Sequence, residues 1–112
     1  MAIVAVADMH GLAGRRTELV ELLREHERAT AGQAGCLRSS VAASVVDEDD
    51  FVLVSEWRDQ ASLDAHYASP AFAAFQRALH GLLARPSELA IHTVSATVRP
   101  QPSGLLDPRD AD

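Results

Sequence analysis

Residues 36 to 58, "CLRSSVAASVVDEDDFVLVSEWR", place two apolar runs of strand-like alternation on either side of four acidic residues, Asp47 to Asp50. A polar link this short cannot carry a crossover, so the two runs must pair antiparallel as a hairpin. Over 36 to 46, Leu37, Val41, Ala43 and Val45 fall on one face and Arg38, Ser40 and Ser44 on the other. Over 51 to 58, Phe51, Leu53, Ser55 and Trp57 alternate with Val52 and Val54. Any fold open to this chain has to be assembled around that hairpin.

The flanking segments repeat one plan. "IVAVAD" (3 to 8) reads as a strand that "MHGLAG" breaks, and from Arg15 to about Ala31 the residues Leu19, Leu22, Leu23 and His26 recur at helical spacing. Beyond the hairpin, Asp59 can cap a short helix over Gln60 to Tyr67. Ser69 and Pro70 then open a longer one whose apolar face is Phe72, Phe75, Leu79, Leu82 and Leu83, with Pro86 as its stop. A last strand is expected over 87 to 98. The order β-α-β-β-α-β implies an α+β, ferredoxin-like split βαβ with one antiparallel sheet and its helices on one face.

The chain's 112 residues suffice for one such domain, over 1 to 98, and for no separate cofactor domain. Residues 99 to 112 hold three prolines and no periodicity, so a mobile tail is expected unless Leu105 and Leu106 dock on a partner. The sheet strands are apolar on both faces, which leaves one face in need of cover and makes a homodimer packed sheet on sheet the economical arrangement.

Charge and cysteine usage exclude several functions. The net charge is −6 and all ten basic residues are dispersed arginines, so nucleic acid is not an expected partner. With one cysteine, Cys36, no leader and no membrane-length apolar run, a cytoplasmic location is expected and no membrane partner. His10, His26, His66, His80 and His92 show no metal-ligand spacing with an acidic partner, and no glycine-rich phosphate loop follows a strand. No metal and no cofactor are therefore expected. "DEDD" reads as a solvated turn and Cys36 as an inert thiol.

Four segments, "AGC" (34 to 36), "FVLVSEWRDQASLDAH" (51 to 66), "SPAFAAF" (69 to 75) and "GLLARP" (81 to 86), resemble the antibiotic biosynthesis monooxygenase domain of the dimeric α+β barrel superfamily, over about residues 3 to 96. That resemblance implies the same fold, a homodimer through the sheet face, and one of several activities. Haem-degrading members combine a strand-one Asn, a Trp ending strand three and a ligand His. Here Trp57 matches, the chain has no Asn, and Phe75 stands where the ligand would, which argues against haem. Oxygenases of tricyclic polyketides place an Asn four residues before the Trp and a Tyr six after it, positions held here by Leu53 and Leu63. The pattern from Trp57 to Phe72 is most similar to quinol-monooxygenase-like members. It implies a cofactor-independent monooxygenase that takes a small aromatic quinol or polyphenol and O2.

The residues themselves suggest an apolar pocket containing two imidazoles. A deprotonated phenol or quinol is electron-rich enough to reduce O2 itself, so the protein must bind it, take its proton and exclude water. His66, at the junction of two helices, is the first candidate base and His26 the second. Trp57, Phe72 and Phe75 are candidate walls, with Ser55 and Tyr67 as further substrate contacts. Competing readings make Trp57 a core anchor, His26 a hydrogen-bonded core histidine and His66 a structural cap. Two other functions remain open, a dimeric small-molecule-binding or accessory protein and an isomerase of a small carbonyl compound.

Overall fold

The computed structural model describes residues 1 to 101. Its elements run β1 (Ala2–His10), α1 (Arg16–Ala31), β2 (Cys36–Ala43), β3 (Asp50–Trp57), α2 (Gln60–Tyr67), α3 (Pro70–His80) and β4 (Glu88–Val94). The four strands form one antiparallel sheet in the order β2-β3-β1-β4, as the split βαβ arrangement requires. β1 pairs with β3 from Ile3 opposite Trp57 to His10 opposite Asp50, and with β4 from Ala2 opposite Val94 to Asp8 opposite Glu88.

Helices cover one sheet face. Ile3, Ala5 and Met9 of β1 and Phe51, Ser55 and Trp57 of β3 are buried beneath them. One core cluster joins Met9 and Phe51 to Leu19 and Leu23 of α1, Phe75 and Leu79 of α3, and Leu82. A second surrounds Trp57 with Ile3, Ala5 and Leu63. The opposite face carries Val4, Val6, Val52 and Val54, which are only partly buried.

The helix starts follow their sequence signals. Asp59 accepts hydrogen bonds from the Ser62 amide (2.9 Å) and hydroxyl (2.7 Å), capping α2. Ser69 Oγ accepts from the Phe72 amide, with Pro70 in the first turn of α3. α1 has no side-chain cap; instead the Arg15 guanidinium is bidentate to Glu18 of the first turn, at 2.8 and 2.7 Å.

Element limits depart from the sequence-based ones where tertiary pairing prevails over local pattern. β1 continues through Met9 and His10, because these pair with Phe51 and Asp50 and His10 Nδ1 lies 2.8 Å from Asp50 Oδ1. β2 ends at Ala43, and Val45 and Val46 stand fully out in a longer loop held by Ser44 Oγ, which accepts from the amides of Val46 and Asp47. Leu37 does not share the face of Val41, because a register shift between Cys36 and Arg38 ejects it from the alternation and leaves it exposed. α3 stops at His80 rather than at Pro86. Leu82 stays buried, but its carbonyl accepts from the Leu12 amide and Ala84 N–H donates to His10 O, so the chain leaves the helix to pair with the end of β1. β4 spans Glu88–Val94 instead of 87 to 98. Leu105, Leu106 and most of the expected tail lie outside the described residues.

Candidate functional site

The imidazoles meet because two helices of different origin cross over the same end of the sheet. His26 is on the sheet-facing side of α1, one turn past Leu22 and Leu23, and His66 is in the last turn of α2. Their ring centroids are 5.7 Å apart. The first turns of α3 supply the aromatic surroundings: His26 stacks on Phe75 (3.7 Å, 10° between planes) and His66 on Phe72 (5.1 Å, 15°). Tyr67 packs at a tilt beside both, 5.3 Å from His66 and 4.9 Å from Phe72.

Two cavities share this cluster as a partition. An outer groove of about 330 Å³ lies between α1 and α3, bordered by Leu22, Glu25, Ala29, Gln33, Ala71 and Ala74. An inner cavity of about 90 Å³ lies against the sheet, bordered by Ala5, Ala7, Ser39, Leu53, Ser55 and Tyr67 among others. His26, Thr30, His66, Phe72 and Phe75 line both. The outer groove reaches the size usual for a small-molecule site, and the inner one does not.

Burial sets the protonation of the cluster. Desolvation, with a smaller repulsion from His66, lowers the His26 pKa to about 4. Desolvation lowers that of His66 as well and raises that of the Tyr67 phenol. Both imidazoles are thus neutral at pH 7, the state in which a histidine can accept a proton. Neighbours orient them. His66 Nδ1 donates to Gln33 Oε1, which leaves Nε2 as the basic nitrogen. His26 Nε2 lies 3.3 Å from the buried Thr30 hydroxyl, one helical turn on.

Of the residues singled out in the sequence, His26, His66, Phe72 and Phe75 meet at the partition, and Ser55 and Tyr67 line the inner cavity. Trp57 touches the site differently. Its ring is fully buried 4.8 Å from His66, its Nε1 donates to Ser55 Oγ (3.0 Å), and it borders neither cavity. It packs behind the site and positions Ser55 and His66. Three contributors went unread in the sequence. Gln33 sits in "AGQAG", which signals only the end of a helix. Thr30 could have been found from its place four residues after His26. Ser39 shares a sheet face with Ser55 only through the register of β2 on β3.

Among the described residues no cluster of three or more His, Cys, Asp or Glu could hold a metal ion, and no helix is long and apolar enough to cross a membrane. Cys36 is free and half-buried, and desolvation raises its pKa, which keeps it a thiol.

Comparison with known proteins places this geometry in a family. Residues 2 to 78 match the family model for antibiotic biosynthesis monooxygenase. An uncharacterised protein of Synechocystis is 25% identical over 95 residues; the match covers 85% of this chain and 65% of that protein, so the chain spans less than two thirds of this relative. Among solved structures, a Deinococcus radiodurans protein provisionally assigned as an antibiotic biosynthesis monooxygenase superposes with a TM-score of 0.83 at 18% identity, covering 88% of this chain and 98% of that one. SnoaB from Streptomyces nogalater, a cofactor-independent oxygenase solved as a point mutant, gives 0.77 at 21% identity, with 87% and 96% covered. At these identities the two structures speak for the fold. The family match covers more than half of the chain, and the chain belongs to the antibiotic biosynthesis monooxygenase family.

Proposed function

We propose that this protein oxidises a small aromatic quinol or polyphenol with O2 and without a bound cofactor. The observation that carries this reading is the pair of desolvated, neutral imidazoles set among aromatic rings where the two cavities meet. SnoaB supports it as a cofactor-independent oxygenase on the same fold.

The substrate ring would lie against Phe72 and Phe75, with its oxygen-bearing edge directed at His66. Nε2 of His66 takes the hydroxyl proton, and the ring anion passes one electron to O2. The resulting ring radical and superoxide combine at a ring carbon, forming a C–O bond. Loss of the proton on that carbon and heterolysis of the O–O bond leave a new C=O on the ring and release the second oxygen atom as water. Substrate and O2 thus balance against quinone and H2O, and no outside reductant is needed. Gln33 holds the His66 tautomer, while the apolar partition keeps water from the radical pair.

The reading also includes a homodimer. Val4, Val6, Val52 and Val54 form an apolar stripe on the sheet face away from the helices, and a second copy of the same face would bury it isologously.

Oxygen uptake by metal-free protein over a panel of quinols and polyphenols tests the oxygenase. Uptake that falls about 100-fold or more in His66→Ala, the range for loss of a general base, supports it, and absence of uptake overturns it. Turnover of a carbonyl substrate under nitrogen would instead identify an isomerase.

A further inference from the structure

The floor of the inner cavity holds a polar feature that the mechanism above leaves unused. Ser39 Oγ is shut off from solvent and has no hydrogen-bond partner among the described residues. A buried hydroxyl left in that state costs roughly 1 to 3 kcal/mol, a cost that a ligand accepting from it would remove. Its cross-strand neighbour is Ser55, directly opposite in the β2–β3 register. Opposed residues of an antiparallel pair have Cβ atoms about 4.5 to 5.5 Å apart, close enough for both hydroxyls to reach one atom placed between and above them.

The two hydroxyls are complementary in what they offer. Ser55 Oγ already accepts the Trp57 indole N–H at 3.0 Å, so its own O–H remains to be donated, and a hydroxyl that accepts one bond is polarised to donate a stronger one. Ser39 Oγ has no partner among the described residues, and a turn about its Cα–Cβ bond to another staggered rotamer would aim its O–H into the cavity that the residue lines. Both line the inner cavity with His26 and His66, and among the described residues that cavity's lining contains no arginine and no carboxylate. A ligand carrying a permanent charge, such as a carboxylate or phosphate, would find no counter-ion there. An oxygen that is neutral on entry and becomes anionic only on losing its proton to an imidazole fits the donors present.

The cavity's size limits how much of a ligand can enter. At about 90 Å³ it is smaller than the roughly 150 Å³ apolar cavity that admits a benzene molecule, so only a ring's oxygen-bearing edge fits inside it, with the rest of the ring toward the rim where Gln76, Ser87 and Leu89 are exposed.

We propose that Ser39 and Ser55 form a two-hydroxyl anchor for a single ring oxygen of the ligand, across from His66. The ligand class is therefore an uncharged phenol-type ring that ionises in place. This assignment rests on the functional reading above for the identity of the reaction, but not for the existence of the anchor.

The test uses 4-nitrophenol, whose phenolate absorbs visible light, titrated into wild type, Ser39→Ala and Ser39→Thr, with thermal melting of each. Loss of one hydrogen bond to a charged group corresponds to a tenfold or greater effect. Ser39→Ala should bind the phenolate about tenfold or more weakly while melting at the same or a higher temperature, since it removes an unsatisfied hydroxyl. Ser39→Thr, which keeps the hydroxyl, should recover affinity. Equal affinity in wild type and Ser39→Ala would overturn the anchor, as would failure of wild type to bind, or an affinity loss matched by a lower melting temperature that Ser39→Thr does not repair. Oxygen uptake with quinols in the same variants separates the two claims. Ser39-dependent binding without uptake retains the anchor and removes the oxygenase; uptake with unchanged KM and unchanged probe affinity in Ser39→Ala removes the anchor and retains the oxygenase.

Discussion

His66 combines burial, a fixed tautomer and an aromatic stack, and each has a measurable consequence. Its pKa is lowered by desolvation, so the acid limb of kcat/KM should fall below pH 6.5, the ordinary value for a histidine. Gln33→Glu would put a carboxylate against Nδ1, stabilise the imidazolium and move that limb to higher pH; an unmoved limb would show that another group is the base. Stability is linked to the same kind of shift. His26 titrates at about 4 when folded and near 6.5 when unfolded, so between those values the unfolded chain binds more protons. Stability should therefore decline as pH drops from about 6.5 to about 4, and His26→Gln should flatten that decline in urea midpoints measured at pH 7 and pH 5. At this scale the sequence was partly legible. The two histidines and Phe72 and Phe75 could be read from helical faces and a cap signal. Gln33 and Ser39 could not, because their roles arise from contacts between distant segments, Gln33 with His66 and Ser39 with Ser55.

Among the described residues, periodicity and capping residues located each strand and helix, and errors fell at ends where another segment competes for the backbone. The exit from α3 is one case: Leu82 and Leu83 fit the helical face, yet Leu83 bridges to Gly11 beyond β1. Leu37 is another, since a bulge leaves no trace in a single strand's alternation. The entry to β2 shows what element packing demands. Gly35 has φ +82°, and a Cβ there would collide with the Ser62 side chain of α2. Gly35→Ala thus meets both a disfavoured backbone and a clash at the start of the helix bearing His66. A drop in melting temperature of several degrees is expected, and Ser62→Gly in the same chain should recover only the part due to the clash.

Among the described residues, one face of the sheet carries no helix. The sequence anticipated this from strands apolar on both sides, and the structure places Val4, Val6, Val52 and Val54 together there. If a second copy covers that face, Val54→Asp would bury an unpaired carboxylate from each copy in the interface and yield monomers or insoluble protein. Equilibrium sedimentation checks this, and a wild-type protein that sediments as a stable monomer would refute the dimer. Fold and family were within reach of the sequence because both rest on the order of local signals. The substrate was not, because it depends on the shape of two cavities that no local signal encodes.

Cofactor-free oxygenation with His66 as the base is tested by oxygen uptake of metal-free wild type and His66→Ala with a panel of quinols, with the product quinone quantified alongside. With His66 as the base, one O2 is consumed per quinone formed and the rate is about 100-fold or more lower in the variant. Equal rates in the two proteins, or no uptake with any quinol, would contradict it.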